Sequence, residues 1–254
     1  MRVIFLGDKL KTALITGASG GIGKAIVKAF LSQGYFVLGQ YNSNEQAMIE
    51  LKDDLKVQGL SDYFFAIKAD LSKSQGVNHL FETVSKSFKS IDVLVNNAGV
   101  DLYKLVTDTS EEEWDYSFNV NVKAGFMLSK LFLPAMICKQ KGKIIFVSSI
   151  WGNNGASMEA VYSASKWAVN GFCKSLAKEV ASSGITVNCV SPGVVDTKMN
   201  ERFNQEEVQA LIDATPLGRM CKPEEVASLI TFLASESADF ITGANITIDG
   251  GFTL

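Results

Sequence analysis

TALITGASGGIGKAI, residues 12–26, decides the fold. A β-prone run, TALIT, leads into a turn that holds Gly17, Gly20, Gly21 and Gly23, and an amphipathic segment follows at once. In that segment Ile22, Ala25, Ile26, Ala29 and Phe30 recur at helical spacing, and Gly34 can stop the helix. A strand, a glycine turn and a helix in that order make a cradle for a diphosphate, because free N–H groups and the dipole at a helix N-terminus favour negative charge. The spacing is GxxxGxG rather than GxGxxG, but the physical demands carry over. Gly17 can turn the chain tightly, Gly21 lets backbone approach a phosphate, Gly23 lets helix pack on strand, and Ser19 and Ile22 lie inside the same turn. A glycine turn alone also serves corners that bind nothing. GxxxxGK followed by Ser or Thr does not occur, so a nucleoside-triphosphate loop is not supported.

Six more β-prone runs follow: YFVLG (35–39), YFFAIK (63–68), DVLVN (92–96), KIIFVS (143–148), ITVNCV (185–190) and NITID (245–249). Several are almost continuously apolar, as strands covered on both faces are, and the intervening segments are long enough for crossover helices. The pattern predicts an α/β fold with a doubly wound parallel sheet. No Pro- or Ser-rich linker, repeat or low-complexity tract breaks the chain, so residues 1–254 read as a single domain.

The composition, 47% hydrophobic and 20% charged over 254 residues, suits a sizeable core. Twenty-four basic against twenty-seven acidic residues, with no dense basic block, argue against nucleic acid as a partner. The opening MRVIFLGDKLK has an apolar run too short for a secretory signal and broken by Asp8; no later run approaches a membrane-spanning length. A cytoplasmic location away from membranes is expected. Cys138, Cys173, Cys189 and Cys221 form no CxxC pair, and the only histidine is His79. No metal site is therefore expected, and a cysteine nucleophile would lack its activating base.

Folds that prefer NAD place an acidic residue near the end of the second strand, against the ribose hydroxyls. Here GQYNSNEQ puts neutral Tyr41, Asn42 and Ser43 in that region, and Glu45 comes only later. The missing carboxylate leans towards NADP, with Asn42 beside the ribose, although no Arg or Lys stands out to clamp a 2'-phosphate.

Taken together, the motifs resemble those of the short-chain dehydrogenases/reductases over essentially the whole chain. They appear as TGASGGIG (16–23), Asp70 after the third strand, NNAG (96–99), Asn121, Ser149, YSASK (162–166), PGVVDT (192–197), PLGRMCKPEEVA (216–227) and FITGANITIDGG (240–251). The resemblance implies a single-domain Rossmann-like sheet of about seven strands, a nicotinamide dinucleotide as hydride carrier, and a homotetramer. It also implies that Asp70 and Leu71 flank the adenine and that Asn97, Ala98 and Gly99 line the adenine-ribose side. Pro192, Gly193, Val195 and Thr197 are implied at the nicotinamide end.

Reducing a ketone by hydride transfer leaves an alkoxide, which needs a positioned acid. Tyr162 can be that acid. A free phenol titrates near pH 10, and a nearby ammonium lowers that value by favouring the phenolate. Lys166 lies one helical turn on, on the same face, and can also bond the nicotinamide ribose. Ser149 ends the fifth strand at the edge where open α/β sheets bind ligands, and its hydroxyl can hold the carbonyl; it fits the family's spacing to Tyr162 and Ser148 does not. Asn121 is a poor helix former inside NVNVKAGFMLSK, and the resemblance implies that it holds a water linking the lysine to solvent. Each feature has an ordinary counterpart: an exposed i, i+4 pair, a serine in a turn, an asparagine in helix packing. A dinucleotide-sensing protein that kept the fold and lost the chemistry would be expected to lack Ser149, Tyr162 or Lys166, and all three are present.

Residues 197–220 occupy the family's lid position, where Val208, Leu211 and Ile212 could form an apolar inner face suited to an acyl or alkyl ketone. The closing half looks most like the 3-oxoacyl-[acyl-carrier-protein] reductases, which makes an acyl carrier protein a candidate partner. KQKGK (139–143) and ASSGIT (181–186), however, lack the arginines expected beside an entrance that docks an acidic carrier. SSIWGNNGAS (148–157) resembles a subgroup that reduces a 5-aminopentanone group on translation elongation factor P. Trp167 suits core or subunit contact, and Trp151 could wall the substrate. The resemblance pairs helices near 107–131 and 160–180 between subunits; Phe126, Leu128, Phe132, Val169 and Phe172 are compatible with that pairing or with a monomer's core.

Overall fold

The computed structural model describes residues 10–254. The opening run read above as too short for a signal falls within residues 1–9, outside the described residues. Strands β1 (Thr12–Ile15), β2 (Phe36–Tyr41), β3 (Phe64–Lys68), β4 (Val93–Asn96), β5 (Gly142–Val147), β6 (Ile185–Pro192) and β7 (Asn245–Ile248) form one sheet in the order β3-β2-β1-β4-β5-β6-β7. Every neighbouring pair is parallel. All seven β-prone runs become strands of a doubly wound, Rossmann-like α/β sheet.

The helices are α1 (Gly21–Ser32), α2 (Glu45–Val57), α3 (Ser74–Ser85), α4 (Glu111–Phe118), α5 (Ala124–Lys139), α6 (Trp151–Asn154), α7 (Ala160–Val180), α8 (Gln205–Asp213) and α9 (Pro223–Ala234). Side chains alternate along each strand, so each face of the sheet carries its own core. On one face Ile15, Val37, Val95 and Val190 meet Phe30 of α1, Leu51 of α2 and Ile230 of α9. On the other, Leu14, Leu38, Leu94 and Val187 meet Leu80 of α3, Leu128 of α5 and Leu176 of α7. Leu128, Phe132 and Val169 belong to this second core, which removes them as subunit contacts; Phe126 remains 45% exposed.

Two differences from the sequence reading have physical causes. β2 runs on through Gln40, a polar residue 2% exposed, because its amide finds buried partners at Gly17 N (2.9 Å) and the Ala69 carbonyl (2.7 Å). Secondly, α4, a π-helical segment (Asn119–Lys123) and α5 join into one helix, Glu111–Lys139. By length and composition alone its 29 residues are long and apolar enough to cross a membrane, which corrects the expectation that no run approaches that length. The acidic first turn and the polar NVNVK masked it, while Leu128, Phe132 and Met136 pack into the core beside β5 and α3.

α1 ends as its glycine requires. Gly34 sits at φ +79°, its N–H donates to the Leu31 carbonyl (3.0 Å), and the Tyr35 N–H donates to the Phe30 carbonyl (3.1 Å), a Schellman closure. Phe30 is fully buried and meets Tyr35 edge-on at 5.0 Å. Phe30→Ala is expected to cost about 3–5 kcal/mol, and Gly34→Ala, whose Cβ is unobstructed but forced left-handed, about 1–2 kcal/mol; urea midpoints measure both.

Candidate active site

The strand order reverses between β1 and β4, and a crevice opens there at the C-terminal ends of the strands. Polar bonds fix its walls. The Thr16 hydroxyl accepts from the N–H groups of Asn97 and Ala98, both at 2.9 Å. The Asn97 amide donates back to the carbonyls of Thr16 (2.9 Å) and Gly17 (3.3 Å), so its side chain ties the two loops together. The resulting cleft, about 850 Å³, is lined by the glycine turn, the Asn97–Asp101 loop, the β5 end, α7 and the segment after β6.

The glycine turn fits a dinucleotide phosphate. α1 begins without a side-chain cap and without an acid in its first turn, so its N–H groups and positive end are left for an anion. A Cβ on Gly23 would lie 2.1 Å from the Gly17 carbonyl oxygen, and one on Gly21 would lie 2.7 Å from Thr197 Cγ2. A side chain at Gly23 would collide with backbone, and one at Gly21 would have to displace the Thr197 side chain. Gly17, Ser19, Gly21, Ile22, Gly23, Asn97, Ala98, Gly99, Pro192, Gly193, Val195 and Thr197 all line the cleft. Asn42, Asp70 and Leu71 stand outside that lining. Asn42 is exposed just past β2, and Leu71 is buried in the core. The Asp70 carboxylate takes the Ser72 hydroxyl (2.7 Å) and Lys73 (3.3 Å). Lys24 is turned to Glu50, 3.4 Å away.

Ser149, Tyr162 and Lys166 converge on the same cleft, and each is at most 9% exposed. Tyr162 and Lys166 share a face of α7, with the Lys166 ammonium 5.4 Å from the phenol ring centre. That ammonium donates to the Val147 carbonyl at the end of β5 (3.0 Å). Gly99 makes room for it, since a Cβ there would stand 3.3 Å from the nitrogen. The Ser149 hydroxyl accepts from the Trp151 N–H (3.2 Å), whereas the Ser148 hydroxyl is turned to the Lys166 carbonyl (3.3 Å). Trp151 lines the cleft, edge-on to Phe252 at 5.8 Å.

Asn121 sits in the π-helical segment, where the widened turn aims its side chain across the helix. Its oxygen accepts from Val100 N (2.8 Å), and its nitrogen donates to the Val100 carbonyl (2.9 Å) and the Ser165 hydroxyl (2.9 Å). It therefore holds the loop after NNAG against α7.

Burial dominates the titration of the pair. It pushes the Tyr162 phenol well above its ordinary range, with the neighbouring Ser149 hydroxyl pulling the other way. It also pushes Lys166 down to about 8. Burial thus outweighs the expected lowering of the phenol by a neighbouring ammonium.

Sequence reasoning missed Thr16, Gln40, Asp101, Tyr103, Glu159, Arg202 and Phe203. The first two are polar residues in or beside apolar strands, ambiguous without the fold. The others are scattered along the chain and meet at one end of the cleft. Among the described residues no group of three metal-ligating side chains occurs.

Comparison with known proteins points one way. The family model described as short chain dehydrogenase matches residues 11–208. The chain is 42% identical over 242 residues to the uncharacterized oxidoreductase YmfI of Bacillus subtilis, covering 95% of this chain and 98% of that one. It is 38% identical over 244 residues to the 3-oxoacyl-[acyl-carrier-protein] reductases FabG of Vibrio cholerae and of Thermotoga maritima, covering 96% of this chain and 98% of each.

A buried ammonium that titrates near 8 binds its proton less tightly than in the unfolded chain, so stability should rise with pH from about 8 towards the ordinary lysine range. Lys166→Met is expected to unfold at higher urea at pH 7, by on the order of 2 kcal/mol, with the gain fading towards pH 10.

Proposed function

Because the chain belongs to the short-chain dehydrogenase family, and is thereby an NAD(P)-dependent oxidoreductase acting on CH–OH groups, we propose that it is an NADPH-dependent reductase turning a ketone into a secondary alcohol. The observation that carries this reading is the convergence of Ser149, Tyr162 and Lys166 on the cleft that the glycine turn opens into. The dinucleotide, when bound, supplies the hydride. Its phosphates would lie at the α1 N-terminus, and Lys166 would hold its nicotinamide ribose.

The chain's residues then deal with oxygen and proton. Ser149 donates a hydrogen bond to the carbonyl oxygen and holds it beside Tyr162. Tyr162 gives that oxygen its proton as the carbon is reduced, and the charge left on the phenol is stabilised by the Lys166 ammonium. Because burial keeps Tyr162 fully protonated at neutral pH, the titration that limits reduction is that of Lys166. Asn121 keeps the Val100 loop in place over Lys166.

The named FabG relatives support a 3-oxoacyl thioester as the first substrate to test, with an acyl carrier protein as partner. The acidic pair Asp101 and Glu159 in the cleft favours a second reading, the 5-aminopentanone group on elongation factor P, since two carboxylates suit an amine-bearing ketone better than an acidic carrier. NADPH oxidation with an acetoacetyl thioester and with modified elongation factor P separates the two; no turnover of the thioester discards the first. A cytoplasmic homotetramer completes the proposal, with exposed Phe126 and Trp167 available for subunit contact.

Tyr162→Phe is expected to lower kcat/KM by about 10²–10⁴-fold while NADPH binding, followed by fluorescence, stays nearly unchanged. The parent's kcat/KM should be flat up to neutral pH and fall above about pH 8, as Lys166 loses its proton. Asn42→Asp should shift preference from NADPH towards NADH by at least about tenfold, measured in matched titrations.

A further inference from the structure

The end of the cleft beyond Tyr162 holds a charged cluster for which the mechanism has no use. Arg202, from the segment between β6 and α8, donates to Asp101 and to Glu159 (3.2 Å). Its guanidinium lies 4.6 Å from the ring centre of Tyr103 and 4.7 Å from that of Phe203. All five residues line the same cleft as Ser149 and Tyr162. The carboxylate side chains are nearly closed off, 7% exposed for Asp101 and 9% for Glu159, whereas Arg202 is 30% exposed.

Two carboxylates and two aromatic rings surround one positive charge. The account does not balance: Asp101 Oδ1 is buried without any hydrogen-bond partner. A buried carboxyl oxygen left without a partner is expensive. The same surplus acts on Glu159, whose carboxyl is pushed up to about 7, by burial first and then by Asp101. A latch that merely fastened the segment after β6 would need one acid, fully paired. An anionic substrate group would have to strip Arg202 from two buried acids and leave both facing each other. A cation relieves both.

We propose that Asp101, Glu159 and the Tyr103 ring form a recognition site for a positively charged nitrogen on the ketone substrate, and that Arg202 holds this place until the substrate arrives. The inference rests on the ketone-reductase reading and, of its two candidate substrates, goes with the amine-bearing ketone. Arg202 can withdraw because it rides on a partly exposed segment, while the acids stay: Asp101 follows Val100, pinned by Asn121, and Glu159 stands at the start of α7. Glu159 and Tyr162 are three residues apart at that helix end, so the nitrogen and the carbonyl should be about one helical turn apart, roughly 5–6 Å. Aromatic faces beside the acids suit alkylated ammonium groups.

The test uses two ketones of one shape: a methyl ketone joined through three methylenes to a trimethylammonium group, and its neutral tert-butyl isostere. NADPH oxidation is expected to show kcat/KM at least about tenfold higher for the charged ketone. Glu159→Gln and Asp101→Asn should each draw that ratio towards one. Arg202→Met, which removes the resident cation and keeps an apolar stem, should lower KM for the charged ketone and not for the isostere. A parent ratio at or below one overturns the proposal, as does a ratio unchanged in both acid variants, and a higher KM for the charged ketone in the Arg202 variant overturns the place-holding role. The parent ratio decides even where a variant fails to fold. Turnover of either ketone keeps the reductase reading standing apart from the recognition site; turnover of neither while the acetoacetyl thioester is still reduced overturns the recognition site alone, and turnover of none of the three sinks both.

Discussion

The cleft depends on a few hydrogen bonds between Thr16 and Asn97. Where the strand order reverses, the loops after β1 and β4 diverge, and nothing in the sheet itself fixes the gap between them. The Thr16 hydroxyl and the Asn97 amide close it at the base, each serving the other's backbone. Gln40 braces the glycine turn from the side by accepting from Gly17 N. With these buried polar groups satisfied, the α1 N-terminus can stay uncapped and the loop from Ala98 to Asp101 can lie over Lys166. Removing one partner would leave the others dry and unpaired, so the network stands or falls together.

α7 is the second constraint. It is a core helix whose Val169, Cys173 and Leu176 are packed under the sheet, and its opening turns carry Tyr162 and Lys166. The position of the phenol and the ammonium is therefore set by apolar packing farther along the helix, which is stiffer than any loop. The π-helical segment before α5 does the same for Asn121: one widened turn lets an asparagine reach Val100 and Ser165. Rigid elements thus supply Tyr162, Lys166 and Asn121, whereas Arg202 comes from the segment between β6 and α8.

Much of this was legible in the sequence. Seven β-prone runs became seven strands; β1, β4, β5 and β6 are buried throughout, and a strand covered on both faces leaves an unmistakable composition. The glycine turn was legible because its own backbone leaves no room for a side chain at Gly23 and Thr197 crowds Gly21. Spacing alone placed Tyr162 and Lys166 on one helix face; Ser149, Asn121 and the cofactor positions came from likeness. The π-helical turn was not legible, because a shift in backbone bonding leaves no mark in composition. Nor was the Arg202 cluster, whose bonded partners stand 101 and 43 residues away along the chain. The electrostatics of the pair also escaped, since an i, i+4 reading shows attraction and is blind to the desolvation that exceeds it.

Charge along the cleft runs in one direction. The α1 N-terminus attracts anions at one end, the Lys166 ammonium stands in the middle, and the carboxylates of Asp101 and Glu159 occupy the other end. A polyanionic dinucleotide is drawn to the first end and repelled by the last, which leaves the acidic end for whatever carries the ketone. Each of these charges is costly to bury: Lys166 and Glu159 are both shifted towards their neutral forms. An arrangement that sacrifices stability twice, at opposite signs, on either side of one phenol is what a site gains from when two ligands must enter facing one another. The orientation of the ketone would then be fixed by charge before the Tyr162 proton is needed.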